Sequence, residues 1–337
     1  MMKKLFASAL ALTMAFTLIA CNGDTDTTDA QTTAGTTDAA VGETDETNGE
    51  AYKIGVLAPA ATHGWVAGVT YHAERRLEEL EDEGQVDYQV YTSSNAEQMT
   101  GQLDDLRTWG AEAIVAFPQW EGMESPMQEA IDDGITVVNF DIEINAEGVY
   151  RVAGDNKDMG IRSAEYIVDK IGTEGTVIIL DVPTSGSVAA LRKQGFEETV
   201  AEIAPDLELH TYATQFTRED GLSDFSDILT NHSHIDAVFS MDDETSIGVV
   251  QAIEEADRDD IQVITGGGGS QEYFNMMDEY EDIWLQSALY SPDMVEDAVD
   301  MAVSILKGED VEEVVIIPTA IVDRGNVENY LDPDSPY

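Results

Sequence analysis

Aromatic rings and carboxylates recur in this sequence at one kind of place, directly after a short apolar run. His63 and Trp65, with Gly64 between them, follow the run at 53–58 (KIGVLA). Gln119 and Trp120 follow 113–117 (AIVAF), and Asp141 follows 136–140 (TVVNF). Asp242, with Asp243 and Glu244 behind it, follows 237–240 (AVFS). Phe216 stands in the stretch 215–219 ahead of a helical pattern, and Tyr290 ends a strand-like segment at 284–290. An aromatic face covers the C–H surface of a sugar-like ring, while carboxylates and amides bond its hydroxyls. Each residue also has an ordinary structural role open to it. Asp242, Asp243 and Glu244 can cap the helix that follows, Asp141 can be a loop carboxylate, and Trp65 can staple the start of its helix. Trp120, Phe216 and Tyr290 can pack in the core.

Ligands of open parallel sheets bind beyond the carboxyl ends of the strands, so the surrounding elements decide whether these residues meet. The runs at 53–58, 113–117, 136–140, 176–180 (TVIIL), 237–240 and 261–265 (IQVIT) are short, β-branched and apolar on both faces. That is the pattern of buried parallel strands. Amphipathic stretches lie between them. Val66, Val69, Ala73, Leu77 and Leu80 recur at helical spacing, with Arg75, Arg76, Glu78 and Glu79 on the other side. Met294, Ala298, Met301, Ala302 and Ile305 repeat the pattern. The alternation predicts a doubly wound α/β architecture, and its length predicts two lobes rather than one sheet. The candidate residues are expected in loops, outside the sheet core.

No enzyme constellation emerges, and no catalytic residue, metal or cofactor is expected. The glycines at 266–269 are not followed by Gly-Lys-Ser/Thr, which excludes a P-loop. There is no Gly-x-Ser-x-Gly elbow. His232 and His234 lack an evident third ligand and read as a surface loop rather than a zinc site. The Met-Asp-Asp-Glu at 241–244 lacks calcium-loop spacing. With 68 acidic residues, close carboxylate pairs arise by chance and do not indicate glycosidase chemistry.

The chain carries 16 basic against 68 acidic residues, a formal net charge of −52, which excludes nucleic acid as a partner. Lys3 and Lys4 precede an apolar run at 5–20, shorter than the roughly 20 residues a spanning helix needs. The layout reads as a signal peptide over 1–20. It ends in Leu18-Ile19-Ala20-Cys21, which resembles the bacterial lipobox, and Cys21 is the only cysteine. Cys21 is therefore expected to carry the lipid that holds the protein at the outer side of the cell membrane. Residues 22–50 are mainly Thr, Asp, Glu, Ala and Gly, with Val41 as the only large apolar side chain, so 21–50 reads as a lipidated cysteine and disordered acidic tether.

Taken in order, KIGVLAP at 53–59, Gly64-Trp65, Asn139-Phe140-Asp141, Val152–Asn156 (VAGDN), Gly195-Phe196 and 237–244 (AVFSMDDE) resemble the type I periplasmic sugar-binding proteins, relatives of the ribose- and galactose-binding proteins. The resemblance covers about 52–326. It implies two Rossmann-like lobes with parallel sheets joined by a three-crossing hinge, near Gly154-Asp155, Tyr290-Ser291 and Pro318-Thr319. The lobes would comprise 52–155 plus 291–317, and 156–290 plus 318–330. It implies a small-molecule ligand and an ABC permease as partners, with a sensor component for chemotaxis or quorum signalling as the alternative. Family ligand positions map onto His63, Trp65, Asp141, Phe216, Asp242 and Tyr290. The chain departs from the pattern in three places. Ile142 stands where an Arg is common, the glycines at 266–269 stand where an Asp is common, and the Arg at the start of the helix after Leu180 has no clean match, Arg192 lying nearby but off the expected register. The loss of two hydroxyl-binding groups points away from ribose or glucose and leaves a deoxy sugar, a polyol, a smaller sugar-like signal or another neutral solute.

Overall fold

The computed structural model describes residues 51–61 and 63–337. The signal peptide, the lipidated Cys21 and the tether at 21–50 lie outside the described residues. The first half runs β1 (Tyr52–Pro59), α1 (Gly64–Asp82), β2 (Val86–Ser93), α2 (Ala96–Trp109), β3 (Ala113–Ala116), α3 (Glu124–Asp132), β4 (Thr136–Phe140) and β5 (Tyr150–Gly154). The second runs α4 (Asn156–Ile171), β6 (Glu174–Asp181), α5 (Ser187–Ile203), β7 (Asp206–Ala213), α6 (Arg218–Asn231), β8 (Ala237–Phe239), α7 (Asp243–Glu255), β9 (Val263–Gly267), α8 (Gln271–Met276) and β10 (Trp284–Ala288). Then come α9 (Met294–Leu306), β11 (Val314–Ile317) and β12 (Ile321–Asp323).

The strands form two sheets, ordered β11-β5-β4-β3-β1-β2 and β12-β10-β9-β8-β6-β7. All pairs are parallel except β10 with β12. The chain passes between the sheets after Gly154, after Ala288 and between Ile317 and Ile321. Each sheet is covered on both faces, which is why its strands are apolar on both sides. On the first, Ile54, Val56 and Val115 meet the buried face of α1 and α9, whereas Leu57, Ile114 and Ala116 meet α2 and α3. On the second, α4 and α5 cover one face and α6 and α7 the other.

Within each sheet the order reverses once, between β1 and β3 and between β6 and β8. A crevice opens at such a reversal because the flanking loops diverge to opposite faces. The two crevices face each other, and the candidate residues cluster around them.

Two glycine pairs let helices approach backbone to backbone. A Cβ on Gly160 or Gly195 would collide with the main chain of α5 or α4, and one on Gly221 or Gly248 with that of α7 or α6. The first contact seats α5 against the start of α4 beside the hinge. Two sequence expectations need correction. Gly64 and Trp65 are not in a loop but form the first turn of α1. β9 does not end at Thr265 but continues through Gly266 and Gly267, which pair with Ser287 and Ala288. Glycine is required at 266 because a side chain there would run into the Asp243 carboxylate and the Tyr273 ring.

Candidate functional site

A cavity of about 360 Å³ lies between the two crevices. From the first sheet it takes the residues after β1 and β3, with Asp141 after β4. From the second it takes the segment 184–188 after β6, with Arg192 in α5, Phe216, and Asp242 and Glu244 after β8. Tyr290, at the second crossing, lies between them.

The first-sheet wall is aromatic. Trp65 lies parallel to Phe140 (9° between planes, centroids 6.2 Å apart) and edge-on to Phe117 at 5.9 Å. Its indole Nε1 donates to the Tyr290 carbonyl at 2.6 Å, which ties the helix start to the hinge. Trp65 thus staples and lines the cavity at once. His63 precedes it in extended conformation and makes no capping bond to the helix. Burial lowers its pKa, so the imidazole is neutral near pH 7.

Asp141 is the polar group on that side. Its backbone adopts φ +65°, one of two left-handed non-glycine residues among those described. An aspartate tolerates that conformation better than most residues but still stores some strain. The strain is held by the Asp141 N–H donating to Val152 O at 2.9 Å and by Arg151 Nη2 donating to the Asp141 carbonyl at 2.8 Å. The buried carboxylate accepts from the Tyr290 hydroxyl. Burial pushes its pKa up, opposed by Tyr290, Arg192 and Arg151.

The opposite wall is built from charge. Arg192 is buried; its Nε donates to Asn156 Oδ1 at 2.8 Å and its Nη1 to the Met241 carbonyl at 2.7 Å. Its guanidinium stands 4.9 Å from the Tyr290 ring centroid and 5.7 Å from that of Phe216. Asp242 caps α7, accepting from Thr245 N at 2.9 Å and Thr245 Oγ1 at 2.7 Å. Capping and cavity lining are therefore one arrangement. Burial raises Asp242 to about 6, against the bonds from Thr245 and the charge of Arg192.

Asp243 lies behind this wall, fully buried. One carboxylate oxygen accepts from Gly269 N and Ser270 N, both at 2.8 Å, and from Ser287 Oγ at 2.9 Å. The other has no partner among the described residues. Burial raises Asp243 to about 7. The glycines at 266–269 thus accommodate an aspartate that arrives from α7.

The cavity brings together His63, Trp65, Gln119, Asp141, Phe216, Asp242 and Tyr290. It does not include Trp120, which turns away and packs on the α2–α3 side of the first sheet. Tyr290 is largely buried, lying on Gly154 where a Cβ would strike its ring; its hydroxyl also accepts from Asn156 Nδ2 at 3.3 Å. Among the cavity residues that the sequence does not place there are Glu121, the segment 184–188, Arg192 and Tyr337. Arg192 lies off the register that the resemblance implies, and only the close α4–α5 contact brings its side chain to the cleft. Tyr337 ends a Pro- and Asp-rich stretch (LDPDSPY) that reads as loop, and no sequence signal places it there. His232 stacks with His210 and bonds Tyr212, while His234 lies beside Asp236 and Asp260.

Two doubly wound sheets, three crossings and a cavity lined from both sides define a two-lobed ligand-binding protein. Residues 54–310 match the family described as periplasmic binding protein domain, and the chain belongs to that family. The ribose import binding protein of Escherichia coli is 27% identical over 175 residues, which cover 51% of this chain and 59% of that protein's own length. A xylitol-binding protein of Mycolicibacterium smegmatis is 24% identical over 71% of this chain and 69% of its own. An ABC transporter periplasmic solute-binding protein from Actinobacillus succinogenes, solved with bound D-allose, superposes with a TM-score of 0.74 at 21% identity, covering 83% of this chain and all of that one.

Proposed function

We propose that this chain is an extracytoplasmic substrate-binding lipoprotein of an ABC importer that captures a small neutral sugar or polyol between its lobes. The observation that carries the reading is the pairing of aromatic faces with buried carboxylates and a buried arginine in one small cavity. Trp65 from one side and Phe216 from the other offer flat surfaces to a ring's C–H faces. Asp141 and Asp242 accept hydroxyl hydrogen bonds, and Arg192 donates to a ring or hydroxyl oxygen. His63 and Gln119 line the mouth. Arg192 is the one arginine or lysine among the described cavity residues, set against Asp141, Asp242 and Glu244, so the site suits an uncharged polyhydroxylated ligand better than an anion. The relatives named for ribose and xylitol, and the structure holding allose, have ligands of that kind.

The lobes of the proposal are 52–155 with 291–317, and 156–290 with 318–330. They close on the ligand about the three crossings, as hinged binders do. Cys21, lipidated after removal of 1–20, holds the protein at the membrane through the tether, within reach of an ABC permease. Thermal unfolding of the full chain with ribose, xylitol, D-allose and myo-inositol tests the reading. A ligand bound only by the folded protein raises its stability by mass action, about 2.7 kcal/mol at a hundred times Kd. No shift with any neutral sugar or polyol sinks it. Cys21→Ser should release the protein from membranes, and undiminished retention would remove the lipid-anchor part alone.

A further inference from the structure

Tyr337 stands where two cavities meet. It lines the interlobe cavity and also a second cavity of about 280 Å³ behind the hinge, which is bounded by His72, Ser291, Pro292 and Phe274. The stretch that delivers it is fastened to the second lobe. Gln271 of α8 donates to the Tyr330 carbonyl at 3.1 Å and accepts from Asp332 N at 2.7 Å. A turn then returns the chain, with Ser335 N bonded to Asp332 O at 3.3 Å and Ser335 Oγ donating to Tyr337 O at 2.8 Å. Pro333 and Pro336 fix φ on either side of that turn.

The ring lies in a slot that other side chains would fill. A Cβ on Gly64, in the first turn of α1, would stand 2.7 Å from the Tyr337 ring. One on Gly68, a turn further on, would be 3.4 Å from Tyr337 Cβ. One on Gly268 would be 2.6 Å from its hydroxyl, and Gly268 holds φ +133°, a conformation that disfavours any other residue. Gly64 and Gly68 belong to the helix after β1, and Gly268 to the loop after β9. The slot is therefore made from both sides of the cleft. Tyr337 is buried as a residue, and it lines the interlobe cavity. Asp243, Asp242, Glu244 and Arg192 are its charged neighbours, and the last three line the interlobe cavity.

We propose that Tyr337 is a specificity-determining wall of the ligand site, closing the interlobe cavity toward the hinge, limiting the ligand to a single small ring or chain, and offering its hydroxyl to it. The proposal rests on the sugar or polyol reading of the same site. A phenol hydroxyl at the cavity can both donate to and accept from a ligand hydroxyl. Removing the ring merges the two cavities and leaves room for a larger molecule.

The test is calorimetry on the full chain, comparing wild type, Tyr337→Phe and Tyr337→Ala with D-ribose, xylitol, D-allose, myo-inositol and the disaccharide maltose. Wild type should bind one or more of the four smaller probes and reject maltose. Tyr337→Phe, which keeps the ring, should retain the order of preference and weaken the best probe by about three- to tenfold. Tyr337→Ala should weaken it by about tenfold or more and narrow or reverse the discrimination against maltose. If Tyr337→Ala proves unstable by thermal melting, the Tyr337→Phe result decides. Wild-type affinities and ranking in the folded variants would overturn the role of Tyr337 while leaving the binding function intact. Failure of wild type and variants alike to bind any probe would overturn the sugar or polyol reading, and this proposal with it.

Discussion

The two walls of the cleft are built by different physics. On the first-lobe side, Trp65 is wedged among Phe117, Phe140 and Tyr290 and tied by one hydrogen bond. Its shape is set by packing, and one carboxylate, Asp141, supplies the buried charge. On the second-lobe side, Arg192, Asp242 and, behind them, Asp243 are held by helix caps, backbone amides and one another's charge. Packed rings keep their geometry at any pH. A network of buried carboxylates around one arginine does not, because each member's protonation depends on the others. The cleft pairs a face shaped by packed rings with one shaped by titratable groups, and Asp141 couples the first to the second through Arg192.

Removing the cation should have the largest effect. Arg192→Met leaves Asn156 Oδ1 and the Met241 carbonyl unbonded and deprives Asp141 and Asp242 of their counter-charge. The loss in stability should be about 3–5 kcal/mol near pH 8, with ligand binding abolished. Without Arg192 both carboxyls shift further up, so lowering the pH to 5 protonates them and should recover part of the loss. An equal melting-temperature deficit at pH 5 and pH 8 would break the contrast between the walls.

Next in size is the packed face. Trp65→Ala should weaken binding by on the order of 2 kcal/mol or more, and Phe216→Ala by a similar amount, as central aromatic anchors do. Trp65→Ala should also destabilise the protein, because its ring supports Phe140 and the hinge carbonyl. Urea titrations in the absence of ligand check this; a stability loss that varies strongly with pH would place Trp65 in the charged network instead.

Asp243 sharpens the titratable side. It is held at about 7, above the 3.8 of a free aspartate, so the folded protein keeps a proton that the unfolded chain releases between those values. Its stabilising contribution is complete below about pH 4 and is lost as pH rises through about 7, at about 1.4 kcal/mol per pH unit where only one state is protonated. Asp243→Asn retains an acceptor for Gly269 and Ser270 and removes the titration. Its unfolding free energy should therefore fall less steeply than wild type between pH 4 and 7. Parallel curves would mean that Asp243 does not hold a proton.

The smallest effects should come from the rim. Trp120→Ala and Gln119→Ala should each change affinity by about 0.5 kcal/mol or less, since Trp120 packs outside the cavity and Gln119 is exposed at its mouth. A tenfold loss in either would move the site toward the loop after β3.

Much of the architecture was legible because burial writes itself into local pattern. The runs at 53–58, 136–140 and 176–180 are apolar on both faces since helices cover both sides of each sheet. The apolar spacing of Val66 to Leu80 is the buried face of α1. The edge strands β2 and β7 were not legible, since their alternation of exposed and half-buried residues leaves no continuous apolar run. The candidate residues were found by one rule, that loops after parallel strands gather at the crevice. That rule predicts where a chain segment lies but not where a side chain points, which is why it groups Trp120 with Gln119 although Trp120 turns the other way.

By itself, the sequence determined the strand–helix alternation, the two-sheet division and the aromatic and acidic residues near the cleft, because these follow from periodicity, from the length over which it runs and from position along each strand. Only the tertiary structure decided the rest. Arg192 reaches the cavity because Gly160 and Gly195 let α4 and α5 touch backbone to backbone. Asp243 stands behind the glycine loop because Gly266 leaves it room. Tyr337 enters the cleft because two glycines far from it in sequence, Gly64 and Gly268, leave room for its ring and hydroxyl. Each depends on the absence of a side chain at one point of the chain and the presence of another many residues away, and local pattern carries no record of such pairs.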